Sequence, residues 1–480
     1  MTESPATRPL TLHEDRALPA DPVTRPIARE IYQEIKGLPI VSMHGHVPVE
    51  WFADDTPFPD PAQLLVVPDH YLLRMIVSQG RYTLADLGVP TLDGSAVTET
   101  DPRTIWRRFC ENWKAFRGTP TRFWMEHELV TIFGITQRPS AQTADAIYDQ
   151  IAAEIATPGF RPRNLLDRFA IETIGTTDPA WASLEHHTAL AAQGYGERIL
   201  PTFRPDPVLH LDNPTFAHDV LATGAAAGVT VSDYATYLDA LRAQRLRFKA
   251  AGGTATDHGH LVADTTPLPD DDAARLFDAA FTGRPVTAAQ VSAFAAHMLF
   301  QMAAMAADDG LVMQIHPGVE RGHSRTMTAR YGADKGYDIP FAVEYTRALR
   351  PMLEAFGHHP NFRTIVFTLD EDVYSRELAP LAGVYPAMRL GAPWWFIDSP
   401  EAMRRFRETA TETAGFLNLS GFVDDTRAFC SIPARHDLAR RIDAGYLGRL
   451  VAEHRLDLDE AVDTAIDLTY RLPKLAYEAR

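Results

Sequence analysis

A chain of 480 residues with 45% apolar and 23% charged side chains can bury a large core without covalent help. Its length suits one large α/β barrel with insertions, or two to three ordinary domains. Only two cysteines are present, Cys110 and Cys430, in no CxxC arrangement, which excludes a disulfide scaffold and a cysteine metal cage and points to a reducing cytoplasm. A formal charge of −17 argues against a nucleic-acid surface, although a few arginines inside a pocket still suit an anionic substrate.

The opening MTESPATRPLTLHED lacks the apolar core of a secretory signal, and residues 1–25 read as an extended segment. A helix pattern follows over AREIYQEIKG, 28–37, ending at Gly37. Short apolar runs bounded by turn signals then recur as candidate strands: 39–44, 170–178, 198–204, 253–258, 311–316, 364–369, 388–396 and 420–426. Helix patterns such as ADAIYDQIAAEIA, YATYLDALRAQRLRFKAAG and AMRRFRETATETAG lie between them. Strand–helix alternation of this kind predicts a parallel sheet covered by helices, and eight units predict a distorted (β/α)8 TIM-type barrel over residues 26–480. The long gap between the first two strands predicts a helical insertion at about 75–165, and a second is expected at about 262–308. The most lipid-like run, 291–307, carries His297 and Gln301 and is shorter than a membrane span, so it reads as a buried helix.

Polar residues gather where each predicted strand ends: His44 and His46, Asp178, Arg204 and Asp206, Asp257 and His258, His316, Asp370, Asp425 and Arg427. A barrel brings those ends to one mouth, where such folds do chemistry. In VSMHGHVP, 41–48, His44 and His46 are two residues apart, on one face of a strand and about 7 Å apart. Two imidazoles plus a carboxylate from across the barrel suit a divalent metal such as zinc. Asp425 is the best third ligand, and Asp424 should point to the opposite face. His316 and His258 are read as additional ligands, acid–base groups, or hydrogen-bonded residues of the barrel lining. Arg204 and Arg427 at strand ends offer bidentate donors to a carboxylate, or else form ion pairs with Asp206 or Asp424. PDHYLLRM places His70, Tyr71 and Arg74 in one segment after the first strand. There is no P-loop, GxSxG elbow, HExxH or glycine-rich dinucleotide fingerprint.

From about residue 10 to the C-terminus, the chain resembles the uronate isomerase (glucuronate isomerase) family of the amidohydrolase superfamily. The resemblance rests on LPIVSMHGHVP, PDHYLLRMIVSQG, GTPTRFWMEHELVTIFGI, TTDP, PTFRPD, TDHG, MQIHPG, APWWF and FVDDTRAF followed by RHDLARR, in that order. It implies an aldose–ketose isomerase acting on D-glucuronate or D-galacturonate to give fructuronate or tagaturonate, with a zinc-like ion held by His44, His46 and Asp425. It also places His70, Tyr71, Arg204 and Arg427 around the sugar acid. Arg204, Arg427, His316, Trp394 and Arg74 are therefore expected to bind substrate, with Asp425, His70 and Tyr71 moving protons, and Trp395 either lining the site or packing beneath it. The partner is a small sugar acid, with neither nucleic acid nor membrane, and a homo-oligomer is expected.

Several positions depart from the family pattern: Ser42 stands for an Asp, Gly45 for a Cys, Thr119 for an Asn, Asp424 for a Thr, and GHS at 322–324 for a run of asparagines. Ser42 removes a carboxylate near the metal ligands, while Glu320, His323 and Asp424 add charge near the mouth. These changes keep two other readings open: a metal-dependent hydrolase or lyase of the same superfamily, and a catalytically silent sugar-acid binding protein.

Overall fold

The structure, a computed structural model, describes residues 9–479. Part of the expected N-terminal segment lies outside them; from residue 9 the chain runs without helix to Val23, anchored where the N–H of the buried Leu10 donates to the Thr136 carbonyl. The first helix, Thr24–Ile35, starts four residues before the predicted position. Asp21 accounts for the earlier start, because its carboxylate accepts from the N–H groups of Val23 and Thr24 and satisfies donors the helix leaves free.

The barrel strands are Ile40–Ser42, Ile171–Gly175, Ile199–Leu200 continuing as Thr202–Arg204, Ala255–His258, Val312–Ile315, Thr364–Val366 and Met388–Leu390. Each pairs in parallel with the next. Pro201 has no N–H to give, so it splits the third strand in two. The eighth position is held by a parallel bridge from Leu390 to Leu419. It closes on the first strand through Asp425 N–H to His44 O and His46 N–H to Thr426 O. This closure makes an eight-membered (β/α) barrel rather than an open sheet. Gly175 permits the tight join of the first two strands: a Cβ there would lie 2.6 Å from Met43 O.

Between the first and second strands lie seven α-helices, from Val49–Asp54 to Pro162–Arg168. They close around a cluster that includes Trp106, Phe109, Phe116 and Phe160 and continues into Ile40, Ile171 and Ile199 of the barrel strands. Asp270–Phe281 and Ala288–Asp309 connect the fourth strand to the fifth. The latter contains the lipid-like run, and its buried His297 bonds Tyr234 Oη and the Leu268 N–H. Among the described residues no helix is long and apolar enough to cross a membrane. Ile432–Ala452 packs on Thr24–Ile35 and buries Arg435, Arg440 and Arg441. Buried guanidinium groups need partners; both terminal nitrogens of Arg440 donate to backbone carbonyls, those of Lys36, Leu38 and Pro39.

Candidate active site

The first strand runs into 43–48 with Ser42, His44 and His46 at alternate positions. His44 Nε2 lies 3.3 Å and His46 Nε2 3.0 Å from the same Asp425 Oδ1. Asp425 has φ +41°, a left-handed conformation that costs a non-glycine residue about 1–3 kcal/mol and is found where surrounding contacts enforce it. Here the barrel closure enforces it, through the bonds at Asp425 N and Thr426 O. The turn directs Asp425 into the cavity, while Asp424 faces away and meets His436 Nε2 at 3.0 Å. Asp425 Oδ1 is buried and has no partner with hydrogen-bond geometry. Two imidazoles and one carboxylate, with ligand atoms within 4.8 Å of one another, make a donor set that fits a divalent cation. Burial works against charge on both rings; the Asp257 and Asp425 carboxylates outweigh it at His44, whose pKa is raised, whereas His46 is lowered. Burial also opposes ionisation of Asp425, but the two imidazoles hold it well below the usual carboxylate range.

A second layer backs the first. His316 Nδ1 lies 2.7 Å from Asp257 Oδ1, and Arg204 Nη1 lies 3.0 Å from Asp257 Oδ2. Arg204 Nε also donates to Asp206 at 2.8 Å, and Asp206 accepts from the Gly259 N–H. Arg204 thus lines the cavity and is engaged by two carboxylates, Asp206 of the ion-pair alternative and Asp257. His316 stacks between His44 and Phe367, at 4.5 and 4.1 Å between centroids, with Trp394 edge-on at 4.6 Å. His258 turns the other way, onto the Gln314 carbonyl, and does not line the cavity.

The mouth is roofed by the helix His70–Val77, capped where Asp69 accepts from the N–H groups of Tyr71 and Leu72. His70 and Tyr71 line the cavity with Trp394 and Trp395. Burial and the nearby Arg427 push the His70 pKa down to about 3, so its ring is neutral. Burial raises the Tyr71 phenol well above 10, so it is a proton donor. Arg74, expected at the substrate, does not line the cavity; its guanidinium sits over Phe396 at 4.9 Å. Arg427 lies on the rim with Nη2 2.8 Å from Asp334, whose other oxygen is 3.3 Å from Arg321 Nη1. Together these groups line one cavity, open to solvent at the mouth.

Sequence reasoning did not assign roles to Asp257, Arg321, Asp334, Asp398 or Arg435. Asp257 stood at a strand end and Arg321 beside a noted departure, and both were visible on those grounds. Asp334 arrives on a loop and Asp398 lies behind the lining, where no local spacing marks them; Arg435 opens the RHDLARR run of the resemblance but stands outside the cavity lining. Of the departures, Thr119 caps the helix Pro120–His127 as an Asn would, by accepting from the Arg122 N–H. Asp424 is turned onto His436, and neither Glu320 nor His323 lines the cavity. Ser42 Oγ is buried without a partner.

A closed (β/α)8 barrel with two histidines at its first strand, a carboxylate at its eighth and guanidinium groups at the same mouth defines a metal-site barrel suited to a small anion. Residues 22–475 match the glucuronate isomerase family, and the chain belongs to that family. It is 54% identical over 469 residues to a uronate isomerase of Rhizorhabdus wittichii, covering 98% of this chain and 99% of the relative. It is likewise 54% identical over 463 residues to one of Rhizobium meliloti, covering 96% and 98%. The solved structure of glucuronate isomerase from Caulobacter crescentus superposes with a TM-score of 0.95 at 50% identity, covering 98% of this chain and 97% of that one.

Proposed function

We propose that this chain is an aldose–ketose isomerase that interconverts a hexuronate, D-glucuronate or D-galacturonate, with its keto-acid, D-fructuronate or D-tagaturonate. The observation that carries this reading is the placement of Arg427 on the same rim as His44, His46 and Asp425, with Nη2 alone engaged among the described residues. A uronate carries its carboxylate at one end and its reacting carbons at the other, and this cavity offers both guanidinium donors and proton-carrying groups.

Isomerisation takes the proton from C2, returns it to C1, and moves a second proton between the two oxygens. Both imidazoles face Asp425 Oδ1, so Oδ2 is assigned to the carbon-bound proton. Tyr71, protonated, and His70, neutral, serve the oxygens. Arg427 and Arg321 receive the carboxylate. A divalent ion held by His44, His46 and Asp425, zinc first on this donor set, would supply positive charge for the enediolate oxygens. Cys110 and Cys430, both buried free thiols, suit a reducing cytoplasm as its place of action.

Proton NMR in D2O with each uronate separately tests the reading on zinc-supplemented protein. The matching keto-acid, with deuterium at C2 of recovered aldose, is the expected result. Two unchanged sugars in the presence of a bound ion overturn it and favour a hydrolytic or lyase reaction on a related sugar acid.

A further inference from the structure

Behind Tyr71 lies a buried polar network whose further members the reaction above does not use. Tyr71 Oη donates to Asp398 Oδ2 at 3.0 Å. Arg435 Nη1 donates to that same oxygen at 2.7 Å and reaches the backbone carbonyl of Asp424 at 3.3 Å, while its Nε donates to Ser431 Oγ. All three side chains are buried, and the Arg435 guanidinium lies 3.7 Å from the Trp124 ring centroid. One guanidinium therefore touches the partner of the phenol and the peptide that precedes the strained Asp425.

A phenol whose proton points at a carboxylate turns its oxygen lone pairs elsewhere, and Tyr71 lines the cavity. We infer that Asp398 is the inner end of a proton relay through Tyr71, and that Arg435 is the positioning residue that ties this relay to the Asp425 turn. The inference rests on the isomerase reading and names how its oxygen-bound proton is held. In the relay step the substrate O2–H bond breaks and its proton goes to the Tyr71 oxygen, as the Tyr71 O–H bond breaks and that proton goes to Asp398 Oδ2. The reverse transfer delivers a proton to O1. No oxidant or second substrate is needed.

The electrostatics are compatible with this assignment. Three charged or titratable groups face Asp398: Tyr71 from the helix His70–Val77, Arg435 from Ile432–Ala452, and Asp425 from the eighth strand's end. Burial pushes the Asp398 carboxyl up, against the pull of Arg435, to about 7, so the proton passes in either direction near neutrality.

The test is a double-mutant cycle of Asp398→Asn and Tyr71→Phe, read as kcat and KM with melting temperature and metal content recorded for each variant. Each single variant is expected to lose kcat on the order of 100-fold with KM within about threefold, and the double variant should lose little more than either single. The wild-type fall in kcat below about pH 7 should flatten in Asp398→Asn. Multiplying losses, or a rise in KM alone, overturns the relay and leaves the network a packing device. Should Asp398→Asn fail to fold, Arg435→Lys replaces it. It is expected to lower kcat at unchanged KM, and an unchanged kcat counts against the inference. Turnover by the wild type in the same assay separates failure of the relay from failure of the isomerase reading.

Discussion

Asp334, at φ +57° on the loop after the fifth strand, places its carboxylate 2.8 Å from Arg427 Nη2. Burial resists ionisation of Asp334, but Arg427 and Arg321 hold its pKa down to about 2, so it stays charged throughout the neutral range. It therefore competes with an incoming uronate carboxylate for the same guanidinium groups. Both partners are about 38% exposed, which limits the pair to about 0.2–1 kcal/mol. Asp334→Asn should lower KM about two- to fivefold at unchanged kcat. Arg427→Met, which removes the receiving group, should raise KM on the order of 30-fold or more. Steady-state kinetics of the two variants checks the opposite signs; a higher KM in Asp334→Asn would assign Asp334 to orienting Arg427.

The His44, His46 and Asp425 cluster predicts about one divalent ion per chain. Elemental analysis after dialysis should find it in the wild type. His46→Asn and Asp425→Asn should each lower the fraction bound at least about tenfold. Zinc at 100 times its dissociation constant should stabilise the wild type by about 2.7 kcal/mol, seen as a higher melting temperature, and both variants by about half of that or less. Equal responses from all three proteins would place the ion elsewhere.

The barrel was legible because strands buried on both faces leave continuous apolar runs, and because each run ends on polar residues that only a closed barrel brings together. His44, His46 and Asp425 could be read for the same reason: strand alternation and barrel closure fix their meeting. The helix Ile432–Ala452 shows where such reading stops. Its sequence, IPARHDLARRIDAGYLGRLVA, looks like a solvated face, yet Arg435, Arg440 and Arg441 are buried. Asp437, one turn away, pairs with Arg441, but Arg435 and Arg440 are compensated by a carboxylate and carbonyls distant in sequence, and periodicity carries no trace of distant partners. Arg204 shows both sides of this: Asp206, two residues away, was legible as its ion-pair partner, whereas Asp257 meets it only once the neighbouring strand is in register.

Asp437 sets an acid limit on the fold. It accepts from Arg16 Nη2 at 2.6 Å and from Arg441 Nε at 3.0 Å, largely buried, and His127 Nδ1 lies 3.5 Å away. Burial alone would raise its pKa, but these partners lower it far below the ordinary carboxylate value of about 3.9. A folded-state pKa below the unfolded one contributes stability that is present above about pH 4 and is lost as the pH falls through the folded value. Asp437→Asn leaves Arg16 and Arg441 facing no charge, a cost of about 3–5 kcal/mol at neutral pH. Denaturant unfolding of both proteins should show that gap at pH 7 and a narrower one at pH 3. A gap independent of pH would mean the variant acts through packing rather than charge.

Gly391 connects barrel packing to the chemistry. A Cβ at this position would overlap the Phe367 ring, and the Gly391 N–H donates to the Val366 carbonyl beside it, so the backbone cannot back away. Phe367 stacks on His316 at 4.1 Å, and His316 stacks on His44 at 4.5 Å. Overpacking a filled core costs about 1–3 kcal/mol, and here the displaced ring presses on His316, on which it stacks. Gly391→Ala should therefore weaken divalent-ion binding as well as lower the melting temperature, although residue 391 touches no ligand. As a comparison, Gly448→Ala presses on the Ala28 backbone at 3.0 Å, where Ile432–Ala452 meets Thr24–Ile35. It should lower the melting temperature and leave ion affinity unchanged. Zinc titration of both variants distinguishes the two effects: if they bind the ion equally well, the ring stack does not transmit strain to His44.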